Sequence, residues 1–96
     1  MPSPETIIAS VAAVTGVPVG AITGRHRPHE VSVARFLAIA GIRRIHTWLT
    51  LRQVGKLFRR DHTSIVHASK RHRALLSTDP HYVRLWNQVV QDIHQP

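Results

Sequence analysis

Two apolar patterns of helical period stand so close together in this chain that only a tight turn can join them. Leu51, Val54, Leu57 and Phe58 recur at three- and four-residue spacing. Ile65, Ala68, His72 and Leu75/Leu76 repeat the pattern downstream. Between them lie a two-residue basic turn, Arg59-Arg60, and the polar run Asp61-His62-Thr63-Ser64, in which Asp61 is placed to cap the second helix. This is the layout of a helix-turn-helix, whose second helix offers its first turn to DNA. Thr50 caps the first helix of the pair, and Gly55 lets another backbone come close.

The rest of the chain is also read as helical. Ser3 caps a first helix with Pro4 at its first position and Glu5 in its first turn, and Ile7, Ile8, Val11 and Val14 recur until Gly16. A short second helix spans Pro18 to about Thr23, and a basic loop follows from Gly24 to His29 with no apolar residue. The longest helix runs from about His29 to His46, with Val33, Phe36, Leu37, Ala40 and Ile45 as its buried face and Gly41 as a weak point. Asp79-Pro80 starts a sixth helix carrying Tyr82, Leu85, Trp86, Val89 and Ile93 as an apolar stripe. No strand-like alternation appears, so residues 1–96 read as one all-α domain of six helices around a central helix-turn-helix.

Charge separates the ends of the chain. The 96 residues carry 13 Lys+Arg against 5 Asp+Glu, and residues 1–24 hold no Lys or Arg. Only Glu30 and Asp61 oppose the cations that crowd between Arg25 and Arg73. That segregation suits a phosphate-facing surface better than an interleaved solvated face. A membrane-surface helix would need aromatic or Leu anchors; Phe36, Trp48 and Phe58 are instead assigned to core phases. No stretch approaches the roughly 20 apolar residues of a membrane span. Cysteine is absent, so thiolate metal sites and disulfides are excluded. His62, His67 and His72 are spaced by five, which rotates them apart on a helix rather than converging them on a metal. The acids are too scattered for a two-carboxylate site, and no nucleophile sits in a Gly-rich elbow. The expectation is a binding protein and not an enzyme, with no cofactor and no small-molecule substrate.

Chemistry at the helix start matches base recognition. An Asp61 carboxylate accepts from a cytosine amine, a His62 imidazole donates to guanine or thymine, and the methyls of Thr63 and Val66 pack on thymine. A mobile Arg beside a helix-turn-helix fits a narrow minor groove. His67 is assigned to packing against a neighbouring helix or to a backbone carbonyl.

The segment Val54-Gly55-Lys56-Leu57-Phe58-Arg59-Arg60-Asp61-His62-Thr63-Ser64-Ile65-Val66-His67-Ala68 resembles the signature of the C-terminal DNA-binding domain of the bacterial replication initiator DnaA, a Trp-repressor-like fold. The likeness extends through Ser32–Ala40 to the basic loop and covers roughly Ser3 to Ile93. It implies that Asp61, His62, Thr63 and Ser64 read the major groove of a box of the TTATCCACA type. It implies further that Arg27 enters the minor groove and that Arg35 and Arg43 meet phosphates. Arg25, Arg52, Lys56, Arg59 and Arg60 complete the expected phosphate-contacting set.

The chain departs from that pattern in several places. Arg59-Arg60 replaces Gly-Gly-Arg in a turn one residue shorter, Phe36 replaces a polar Gln, Arg52 a Pro, and Arg71-His72 a Lys-Ile pair. No phosphate-binding loop of the G-x-x-x-x-G-K-[ST] kind is present, so nucleotide hydrolysis is not expected of this chain. Met1 before a cappable helix reads as a stand-alone small protein, or equally as an excised domain with a start Met, cytoplasmic and nucleoid-associated. The expected partner is double-stranded DNA, and the expected role is regulation of replication initiation at DnaA-box-like sites. Two rivals are a transcription regulator of phage or chromosomal origin, and an interaction module docking the initiator or other replication proteins.

Overall fold

A computed structural model describes residues 1–94 as six helices: α1 (Pro4–Thr15), α2 (Val19–Ile22), α3 (His29–Ile45), α4 (Leu51–Leu57), α5 (His62–Thr78) and α6 (Pro80–Ile93). The helix starts follow local chemistry. Ser3 Oγ accepts from Thr6 N at 3.1 Å, and Asp79 Oδ1 accepts from His81 N at 3.0 Å and Tyr82 N at 3.2 Å. Thr50 and Gln53 form a capping box, each side chain accepting from the other's backbone N–H. These caps satisfy donors that have no partner within a helix.

The α3 helix touches each of the other helices and forms the axis of the fold. Its buried face is accordingly wider than the stripe its sequence pattern suggests, and it is turned in phase. Val31, Ala34, Leu37, Ala38, Ile39 and Ile42 are buried, whereas Val33, Phe36, Ala40 and Ile45 are only half-buried. The small residues let neighbours approach closely: a Cβ on Gly41 would lie 3.0 Å from Ile7 Cγ2. Gly41 is therefore also a point of close approach between α1 and α3, not simply a weak point of the helix.

Around this axis Ile7, Ile8 and Val11 of α1, Val54 of α4, Phe58, Ile65 of α5, and Tyr82, Val89 and Ile93 of α6 close one core. Leu85 and Trp86 are half-buried at its margin. Trp48 does not join it. It is 62% exposed in the α3–α4 connection, outside any helical period, and its ring stands edge-on to that of His46 at 5.0 Å between centroids. His46 is buried, and its Nε2 lies 2.7 Å from the Pro2 carbonyl, tying the chain start to the end of α3. Across α5 and α6, Tyr82 Oη and His72 Nδ1 are 2.6 Å apart. Burial holds the phenol protonated, and the pair shares one hydrogen between the hydroxyl and the ring nitrogen.

Candidate nucleic-acid interface

The start of α5 is set by the turn before it. Arg60 N donates to Gly55 O at 2.9 Å, folding Phe58–Asp61 back over α4. A Cβ on Gly55 would stand 2.5 Å from Arg60 O, so the turn needs glycine there. Arg59 takes φ 54°, the left-handed region that side chains with a Cβ rarely occupy. Asp61 then caps α5, its Oδ1 accepting from Ser64 N at 2.9 Å. That bond and the Ser64 hydroxyl hold the exposed carboxyl below the usual range.

Two basic grooves flank this helix end and share Arg60 and Ser64. The first, about 540 Å³, brings Arg27 from the loop opposite Thr63 and His67, over a floor that includes Phe36 and Ile39. The second, about 620 Å³, gathers Arg25, Lys56, Arg59 and Asp61. The positive end of α5 opens between them, with its first-turn N–H groups. Thus Arg25, Arg27, Lys56, Arg59, Arg60, Asp61, Thr63 and Ser64 of the expected set line these two grooves. His62 is fully at the surface beside them, and Val66 is half-buried one turn on.

One expected phosphate contact differs from the sequence-based expectation. Arg35 is only 5% exposed. Its Nε donates to Ile22 O at 2.9 Å, and its Nη2 lies near three carbonyls, Ala21 at 3.1 Å, Gly24 at 3.1 Å and His26 at 3.0 Å. It is thereby an anchor for the basic loop, with only Nη1 left for a phosphate. Desolvation, and secondarily repulsion from Arg60, lower its affinity for its proton. The sequence held the clue, because Val31, Arg35, Ala38 and Ile42 fall on one helical stripe. Arg43 lies apart from the grooves, donating to Ser69 Oγ at 2.6 Å, and Arg52 sits exposed on the first turn of α4.

His67 also departs from its sequence-based assignment. It is exposed and lines the first groove instead of packing inward or bonding a carbonyl. Four residues after Thr63, it continues that residue's face, and Lys70 extends the face further. Among the described residues no cluster of His, Asp and Glu could hold a metal ion, and no helix is long and apolar enough to cross a membrane.

A short helix pair, a tight turn and a cationic cleft on either side of the second helix's first turn define a DNA-binding helix-turn-helix domain. Comparison with known proteins gives the family: residues 4–71 match the bacterial DnaA protein helix-turn-helix, and this chain belongs to that family. It is 31% identical over 93 residues to the chromosomal replication initiator protein DnaA of Picosynechococcus sp. (strain ATCC 27264 / PCC 7002 / PR-6). The alignment covers 96% of this chain and 20% of that relative.

Proposed function

We propose that this protein reads a specific duplex sequence and thereby regulates replication initiation at sites like the boxes of the initiator. Asp61, His62, Thr63 and Ser64 enter the major groove, with Val66 and His67 behind them, while Arg27 reaches the adjoining minor groove. Arg25, Arg43, Arg52, Lys56 and Arg59 neutralise phosphates. The observation that carries this reading is the shared groove, in which a loop Arg faces the exposed start of a capped helix. Binding, not catalysis, is the chemistry such a surface performs.

The test is fluorescence anisotropy on a duplex with one TTATCCACA box and on a scrambled duplex, at physiological salt. A preference of about 10³-fold or more is expected. His62→Ala and Thr63→Ala each cost roughly 1–3 kcal/mol on the preferred duplex and little on the other. Equal losses on both would overturn the base-reading assignment. Equal wild-type affinity for both would mean that the shorter, left-handed turn at Arg59 seats the helix on another sequence, and selection from random DNA would then find it.

A further inference from the structure

We propose that Arg60 is a positioning residue that ties the loop arm to the helix-turn-helix, so that the two reading elements engage DNA as one unit. The proposal rests on the DNA-reading function above.

Arg60 reaches across 36 positions of sequence, and its Nη2 donates to Gly24 O at 3.4 Å. The same carbonyl accepts from Arg35 Nη2 at 3.1 Å. One carbonyl therefore joins the turn that sets α5, the long helix α3 and the loop that carries Arg25 and Arg27. Carbonyls after Ala21 and Ile22 have no helix to continue into, and cations are the natural partners for such groups. Gly24 is itself hemmed in, since a Cβ there would lie 2.8 Å from Gly20 O. A side chain at position 24 would therefore displace the junction.

Arg60 also differs from a simple phosphate contact. It is half-buried, and its Nε is buried without any hydrogen-bond partner. A guanidinium placed only to meet DNA would keep that nitrogen in water, because an unpaired buried donor is costly. It lies close enough to Arg35 for the two like charges to repel. The arrangement persists because Gly24 O takes a donor from each. Lys56 provides a control, since it shares the second groove with Arg60 and makes no bond to the loop.

The experiment compares Arg60→Met, which keeps the aliphatic stem and drops the donors, with Lys56→Met. Thermal melts first establish that both fold. Backbone order parameters at Arg25 and Arg27 are then measured without DNA. They fall below about 0.6 in Arg60→Met and stay at the wild-type value in Lys56→Met. Next, Arg27→Ala is combined with each variant, and affinities for the preferred and scrambled duplexes are measured. On the preferred duplex, the loss from Arg27→Ala shrinks by about tenfold in the Arg60→Met background and is unchanged beside Lys56→Met. Unchanged loop order in Arg60→Met overturns the tie. Additive losses overturn its role in reading, even if the loop loosens. No sequence preference in the wild type would refute the proposed function instead, and the tie would still be decided by loop order alone.

Discussion

Single residues carry measurable consequences here because several sit in conformations or surroundings they would not choose. Arg59 in the left-handed region costs about 1–2 kcal/mol, which glycine avoids while giving back roughly 0.5–1 in chain entropy. Arg59→Gly should therefore raise the melting temperature by a few degrees, read by circular dichroism. A fall would show that the Arg59 side chain makes a compensating contact. His72 is pushed down to about 4, chiefly by burial and also by the charge of Arg73. Above an unfolded value of about 6.5 the ring is neutral in both states and stability is independent of it. As pH falls from there toward 4, only the unfolded chain takes up the proton, so stability is lost across that window. With the ring partly open to water the loss is about 1–2 kcal/mol, visible in urea titrations at pH 7.5 and 4.5. That loss should shrink by about 1 kcal/mol or more in His72→Gln; an unchanged pH dependence would place its origin elsewhere.

At the scale of elements, the turn between α4 and α5 is built on one glycine and the short α2 contains another that is not needed for space. Gly55→Ala pushes a Cβ into Arg60 O and should cost about 2 kcal/mol or more. Gly20→Ala meets nothing within 4 Å and should gain roughly 0.5–1 kcal/mol. Denaturant midpoints of the two variants moving in the same direction would contradict this account of the turn. The elements themselves were legible in the sequence because their starts are chemical: Ser3, Thr50, Asp61 and Asp79 each announce a helix and each caps one. The buried face of α3 was less legible. Between Val31 and Ile42 this helix has no fully exposed position to reveal its phase, and its buried stripe includes a charged residue, Arg35. Periodicity ranks residues by polarity, so it cannot see that four carbonyls elsewhere in the chain make that position habitable for a guanidinium. His67 was lost for the opposite reason, because an imidazole fits an interior and a groove equally well until its neighbours are known.

For the whole molecule, the separation of charge along the chain becomes a separation in space, with cations gathered around the start of α5. The five proposed phosphate contacts should give a log–log salt slope of about −4.5 on specific DNA, using about −0.9 per phosphate. A slope below about −2 in magnitude would mean that most of these cations never meet the backbone. Arg59→Gly should lower the slope by about one phosphate's share, coupling this measurement to the stability gain predicted for the same variant. The convergence of loop and turn at this end was legible only as a list of basic residues, since no local pattern says which carbonyl will bring distant cations together. The two tryptophans divide the molecule differently. Trp48 stands in water at the entrance to α4, while Trp86 packs half-buried against the edge of His72 at 4.5 Å. The chain therefore comes with two intrinsic fluorophores in contrasting surroundings: Trp86 reports on loss of the interior, and Trp48 on whatever approaches the outer end of the helix pair. With Trp48→Phe and Trp86→Phe the two signals can be read separately, without any attached dye.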